Sequence, residues 1–232
     1  MKIFSKTDIG LLRDENQDCV WSASLSDGAC AAVLCDGMGG EAHGGLASRI
    51  AVDVISKRIL GTFSAVSAAN SSVVDAARKQ PEGAVMGTTC VAAIVSGGRA
   101  YIVNVGDSRG YHLFTSEDSE CIQQVTKDHS HVRDLIDRGE ITEEQAKLHP
   151  DRNKITRAIG AEEMVTPDYF ELDLADGDMI LLCSDGLSSY GDDMDILDIC
   201  FEYPTEEICD KLVDYANGNG GHDNISVALI AV

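Results

Sequence analysis

Seven runs of apolar or β-branched residues, each bounded by turn formers, dominate the hydrophobic pattern of the chain: VWSASL (20–25), ACAAVL (29–34), TCVAAIV (89–95), AYIVNV (100–105), GYHLF (110–114), DMILLCS (178–184) and ISVALIAV (225–232). Their length and composition predict strands. Asp27-Gly28, Gly97-Gly98 and Asp176-Gly177 are spaced for hairpin turns, so neighbouring strands should run antiparallel. Helical spacing is confined to fewer places. Leu46, Ile50, Val54, Ile55 and Ile59 recur on one face; residues 205–216 (TEEICDKLVDYA) carry a threonine cap, two early glutamates and an apolar pair at Ile208 and Leu212; and 65–79 predicts a third helix with a serine-rich start. The strands cluster and the helices lie outside them. That order predicts an α+β fold, a four-layer αββα sandwich of two packed antiparallel sheets flanked by helices.

From Asp128 to Gly160 the pattern turns charged and polar with few apolar anchors, which predicts a surface excursion between strands. No repeat, linker or low-complexity tract divides the 232 residues, so residues 1–232 are expected to form one domain with 128–160 as a flap-like segment. Charge narrows the partners. With 18 Lys and Arg against 39 Asp and Glu, a net charge of -21 repels nucleic acid and anionic membrane surfaces and favours a cation. The first ten residues lack the apolar core of a signal peptide, no apolar run approaches the ~20 residues of a membrane span, and a cytoplasmic location is expected. The eight cysteines, at 19, 30, 35, 90, 121, 183, 200 and 209, form no C-x-x-C pair and are expected as reduced core thiols.

Two Asp-Gly pairs do not fit hairpins. Asp36-Gly37 and Asp185-Gly186 each follow a long apolar run and are not followed by a returning strand; the first opens CDGMGGEAHGG, with five glycines in the nine positions after the aspartate. Two buried strands thus deliver carboxylates to their ends. Asp223, just before the last strand, and Asp18, just before the first, are further candidates. Crowded carboxylates repel one another unless a cation compensates, and oxygen-only ligands select Mg²⁺ or Mn²⁺ over zinc. Glycine, lacking Cβ, lets backbone carbonyls and a phosphate approach such an ion.

At these residues the chain resembles the metal-dependent type-2C (PPM) protein Ser/Thr phosphatases, specifically their compact bacterial members. The matches run in family order: DIGLLRDENQD (8–18), CDGMGG (35–40), GTT (87–89), NVGDSR (104–109), TKDHS (126–130), HPDRNKITRAIG (149–160), SDGL (184–187) and GHDNIS (221–226). The resemblance implies that Asp36, Asp185 and Asp223 hold one Mn²⁺ or Mg²⁺ ion, that Asp36 and the Gly37 carbonyl hold a second, and that Asp18 acts through water. It implies a metal-bridging water or hydroxide as nucleophile, Arg13 as the phosphate-binding group, and Asp128 with Asp185 at a third, weaker metal. The expected activity is hydrolysis of phosphoserine and phosphothreonine in proteins, opposing a cognate Ser/Thr kinase, by a monomer. Two other readings stay open: a phosphoprotein-binding pseudophosphatase, which loss of a metal aspartate would mark though none is lost, and an acidic protein that binds divalent cations without preference for phosphate. The chain departs from the family where Met38 and Glu41 stand in place of histidines found in other members. A metal-bound water is therefore expected to protonate the leaving oxygen, with His43 the nearest side-chain alternative; His43, His129, His131 and His149 are otherwise expected to be surface or structural residues.

Overall fold

The computed structural model describes all residues except 26, 27, 40–42, 60, 61, 82–84 and 118. Elements are numbered in chain order. One five-stranded sheet has the order β1 (Lys2–Asp8), β12 (Ile225–Ala231), β11 (Met179–Cys183), β8 (Arg109–Ser116), β9 (Ser119–Gln124). The second has the order β10 (Asp168–Asp173), β7 (Arg99–Val105), β6 (Cys90–Ser96), β3 (Cys30–Cys35), β2 (Cys19–Ser24). A short ribbon pairs β4 (Gly37–Met38) with β5 (Gly87–Thr88). Every pairing is antiparallel. All seven strands expected from the apolar runs are present, and so is the four-layer arrangement.

The continuous apolar runs exist because their strands are covered on both faces. In β3, Cys30, Ala32 and Leu34 meet Ile180 and Leu182 of β11 and Ala228 and Ile230 of β12 in a layer between the sheets. The alternate residues Ala31, Val33 and Cys35 face outward against α1 (His43–Ser56) and α2 (Thr62–Ala77). On the other side, Leu181, Cys183, Val227 and Leu229 pack under α6 (Asp193–Glu202) and α7 (Ile208–Gly218). Truncating one fully buried member of the middle layer, such as Leu182→Ala, costs about 2–5 kcal/mol through lost burial plus the cavity left behind. All eight cysteines are free and six are buried, as expected of core thiols.

Three local expectations need correction or restriction. The Gly97-Gly98 turn is a two-residue hairpin with φ of +58° and +74°, joining the paired residues Ser96 and Arg99. Asp176-Gly177 is not a hairpin turn: it leads from β10 in one sheet to β11 in the other, so the strands it joins are not partners. Asp27 lies outside the described residues. The helix expected from Thr205 begins at Ile208, because residues 204–207 close a turn first, with the Glu207 amide donating to the Pro204 carbonyl at 2.8 Å.

The charged segment folds back on itself. Ser130 caps α3 (His131–Asp137), and Thr142 with Gln145 forms a reciprocal capping box on α4 (Glu143–Lys147). Bridges between Ser130 and Ile155, and between Thr88 and Ile159, tie it down where it leaves and rejoins the sheets. Among the described residues, no helix is long and apolar enough to cross a membrane.

Candidate active site

Strand register brings the candidate residues to one end of the sandwich. Cys19 pairs with Cys35 and Cys90 with Val105, so the start of β2, the end of β3, the start of β6 and the end of β7 share one edge of the second sheet. Arg109 pairs with Cys183, Cys183 with Val227, and Asp8 with Ile225, which sets the matching edge of the first sheet. Asp18, Asp36 and Asp107 project from the first edge, Asp185 and Asp223 from the second.

The Asp36 backbone is fixed on both sides by the GTT segment. Its amide donates to Thr89 Oγ1 at 2.9 Å, while its carbonyl accepts from the Thr89 amide at 2.9 Å and from Thr88 Oγ1 at 2.8 Å. The next residue must be glycine: a Cβ on Gly37 would lie 2.3 Å from the Gly44 carbonyl oxygen and 2.6 Å from that of Gln17. Gly186, after Asp185, is equally constrained, since its Cβ would sit 2.0 Å from the Asn224 carbonyl oxygen. The glycines let three chain segments pack backbone against backbone around the aspartates.

Those aspartates share a poorly solvated space. Burial is the main cause of each shift, and mutual repulsion adds to it. Asp18 is pushed up to about 7, Asp107 to about 8 and Asp185 to about 6. Asp36, repelled by Asp18, Asp185, Asp107 and Asp223, is raised well above the ordinary carboxylate value. Asp36 lies near enough to Asp185 to temper the rise of the latter. Ser184 and Ser226 temper the rise of Asp18, but the Ser184 hydroxyl donates to the Asn224 carbonyl at 3.3 Å and that of Ser226 bonds Thr7 at 2.8 Å. Both Asp18 oxygens and Oδ1 of Asp185 therefore stay buried without a hydrogen-bond partner. Orphaned, mutually repelling oxygens are what a hard divalent cation relieves, so the donor set fits such an ion. Among the described residues no three acidic, His or Cys side chains already converge as a finished cage; Asp223 is turned toward Arg13.

Arg13 stands at the rim, half-exposed, with Nη2 2.6 Å from Asp223 Oδ2. Its loop is held by Asn224, whose Nδ2 donates to the carbonyls of Ile9 at 2.9 Å and Glu15 at 3.0 Å and whose Oδ1 accepts from the Gln17 amide at 2.8 Å. Asp128 is placed differently from the other acids. Arg109 grips it through Nε, 3.1 Å from both carboxylate oxygens, and through Nη2 at 2.7 Å, and Gln124 adds a bond at 2.8 Å. Asp107, like Asp18 and Asp223, feels both Asp36 and Asp185. Asp107 and Asn224 were not nominated from the sequence, although each lies inside a quoted motif. AYIVNV leads to Asp107 as ACAAVL leads to Asp36, but an intervening Gly-Asp rather than Asp-Gly order hid the parallel.

Met38 is half-buried in β4, and His43 is the first residue of α1. Glu41 lies outside the described residues. His129 is buried in a polar network, and the rings of His131 and His149 lie 6.0 Å apart within the flap-like segment.

The chain matches a family profile described as protein phosphatase 2C over residues 13–226. It is 35% identical over 239 residues to the serine/threonine phosphatase stp of Listeria monocytogenes, covering 97% of this chain and 93% of that one. The crystal structure of the Mycobacterium tuberculosis serine/threonine phosphatase PstP/Ppp superposes with a TM-score of 0.88 at 34% identity, over 98% of this chain and 97% of that one. The catalytic domain of the serine threonine protein phosphatase PstP in complex with two manganese ions gives a TM-score of 0.84 at 33% identity, over 98% and 96%.

Proposed function

The chain belongs to the protein phosphatase 2C family, and from that premise we propose that it is a metal-dependent protein phosphatase acting on phosphoserine and phosphothreonine. The observation that carries this reading is the crowding of Asp18, Asp36, Asp107 and Asp185 at one edge of the sandwich, mutually repelling and with orphaned oxygens on Asp18 and Asp185, near the guanidinium of Arg13. Asp36, Asp185, Asp223 and the Gly37 carbonyl would hold two Mn²⁺ or Mg²⁺ ions, with Asp18 reaching them through water; the two manganese ions of the PstP catalytic domain support that number. Bound there, the ions would neutralise the phosphate and lower the pKa of water so that it attacks phosphorus near neutral pH.

The chain's own residues supply the rest. Thr88 and Thr89 hold Asp36 by its backbone, which fixes the point on the strand end from which its carboxylate projects. The Arg13 fork matches two phosphate oxygens and, half-exposed at the rim, orients an arriving phosphoryl group. Asn224 locks the loop that presents it. For a weaker outer ion we assign Asp107 in preference to Asp128, because Asp128 is already neutralised by Arg109. Met38 has no proton to give, so the leaving oxygen takes its proton from solvent in the site.

The residues 128–160 would form a flap within a single catalytic domain, and the protein would act as a cytoplasmic monomer on phosphoproteins made by a cognate Ser/Thr kinase. One assay tests the core of this reading: hydrolysis of a phosphothreonine peptide and of p-nitrophenyl phosphate with Mn²⁺, with Mg²⁺ or with excess chelator. Turnover that needs the cation supports it, and cation-independent turnover, or none, removes it.

A further inference from the structure

Asp107 and Asp185 lie in the floor of a groove of about 960 Å³, far more room than a phosphoryl group needs. The groove runs between the flap-like segment and the turn from α5 (Asp185–Ser188) into α6. Its two walls carry charge of opposite sign at their exposed ends. On the α6 side, three carboxylates are each fixed by a neutral donor: Asp192 Oδ1 accepts from the Met194 amide at 3.0 Å, Asp193 Oδ1 from the Tyr111 hydroxyl at 3.1 Å, and Asp195 Oδ2 from the Tyr215 hydroxyl at 2.6 Å. Tyr111 in turn accepts from Arg109 at 3.1 Å, so the acidic wall is braced from the groove floor. Among the described residues none of the three is in an ion pair, and on the flap side Lys147 and Arg152 are exposed and outside the ion pairs of the segment, although Lys147 acts at longer range on Glu144. Arg133, by contrast, is taken by Asp137 and Glu143, and Lys127 by Asp137.

An extended peptide sends successive side chains to opposite sides. Laid along this groove with its phosphate at the buried end, it presents alternate residues to the two walls. We propose that the groove reads the residues flanking the phosphorylated position, pairing basic side chains with Asp192, Asp193 and Asp195 and acidic ones with Lys147 and Arg152. The preferred substrate is then a phosphopeptide of mixed charge. The inference rests on the phosphatase reading above, and the aryl ester separates the two, because p-nitrophenyl phosphate has no flanks to be read.

The experiment compares kcat/KM for phosphothreonine peptides with neutral, basic, acidic and mixed flanks, in the full chain with saturating Mn²⁺. Two variants accompany the wild type. The triple substitution Asp192→Asn, Asp193→Asn, Asp195→Asn keeps an acceptor oxygen for Met194, Tyr111 and Tyr215 and removes only charge. The double substitution Lys147→Gln, Arg152→Gln removes only charge at exposed positions. The wild type is expected to favour the mixed peptide over the neutral one by about tenfold, as several exposed pairs together provide, and to lose that preference as salt rises. The triple variant should lose the benefit of basic flanks alone and the double variant that of acidic flanks alone, with p-nitrophenyl phosphate turnover unchanged in both. Equal kcat/KM for all four wild-type peptides, or a uniform loss on every substrate in the variants, overturns the inference. If not even the aryl ester is hydrolysed, the phosphatase reading fails and takes the inference with it.

Discussion

Arg13 Nη2 and Asp223 Oδ2 lie 2.6 Å apart across 210 residues of sequence. Each has a second task in the proposed chemistry, the guanidinium on phosphate and the carboxylate on a cation, and the two tasks compete with their mutual bond. Arg13→Ala should therefore move two quantities in opposite directions. KM for phosphopeptides rises by roughly 10-fold or more with a smaller loss of kcat, because a group on non-reacting oxygens acts alike in ground and transition states. At the same time the Mn²⁺ concentration for half-maximal activity falls, since Asp223 no longer has an internal cation. Lysine at position 13 should restore little of KM, lacking the two-pronged fork. A rise in the Mn²⁺ requirement would show that the ion pair helps the site rather than restraining it.

The buried aspartates make the metal-free protein a poor acid-base compromise. An unfolded aspartate titrates near 3.8, whereas Asp107, Asp18 and Asp185 are raised to about 8, 7 and 6, and Asp36 is raised well above the ordinary value by burial and by the repulsion of its neighbours. Between these values the folded chain holds protons that the unfolded chain has released, so stability falls as pH rises from about 4 to 8. In excess chelator, Tm should drop by several degrees across that window, and Mn²⁺ should raise Tm most at pH 8 and flatten the slope. Asp36→Asn removes one of the opposed charges. It is expected to be more stable than the wild type in chelator at pH 8 while losing nearly all turnover. A variant less stable than the wild type under those conditions would contradict repulsion as the dominant force at Asp36.

What the sequence concealed follows from where each element sits. The strands recognised in advance, such as β3, β6, β11 and β12, are central and covered on both faces, so nearly every residue is apolar. Apart from the two-residue β4 and β5, the missed strands β1 (KIFSKTD), β9 (SECIQQ) and β10 (DYFELD) are all sheet edges, where charged and polar side chains guard the open ladder and erase the apolar run. Helix α6 escaped because Ile196, Leu197 and Cys200 are its only buried residues, set among acids. In the site, Asp36 and Asp185 were legible because an apolar strand ends on each. Asn224 was not, since its work is done entirely through backbone groups of a loop more than 200 residues away.

Asp107 and Asp128 divide a task that the resemblance placed on Asp128. If Asp107 supports the outer ion, Asp107→Ala should leave two tight Mn²⁺ sites by calorimetry and cut turnover at least about 10-fold, a deficit that added Mn²⁺ only partly repairs. Asp128→Asn keeps acceptor oxygens for Arg109 and Gln124 and should alter turnover by no more than a few-fold. The reverse ranking of the two variants would return the outer ion to Asp128.

His129 holds the turn that presents Asp107. Its amide donates to the Gly106 carbonyl at 2.9 Å, and the Gly106 amide donates back to His129 Nδ1 at 3.0 Å, so the peptide before Asp107 is clamped on both sides. With Nδ1 accepting, the ring proton sits on Nε2, which faces Asp168 Oδ2 at 3.1 Å and lies 2.9 Å from Arg157 Nη1. The two ring nitrogens therefore serve different partners, and two amides can separate them. Asparagine places an acceptor near the Nδ1 position and loses the contact with Asp168; glutamine reaches the Nε2 position and loses the bond from Gly106. If the clamp on Gly106 positions Asp107, His129→Asn keeps the wild-type Mn²⁺ dependence within about threefold, while His129→Gln shifts half-maximal activity to roughly tenfold higher Mn²⁺ with both ions of the tight pair still bound. Thermal unfolding of the two variants controls for general damage, because each loses one hydrogen bond worth about 1 kcal/mol and should lose similar stability. Equal Mn²⁺ dependence in the two variants would mean that His129 supports the fold without positioning Asp107.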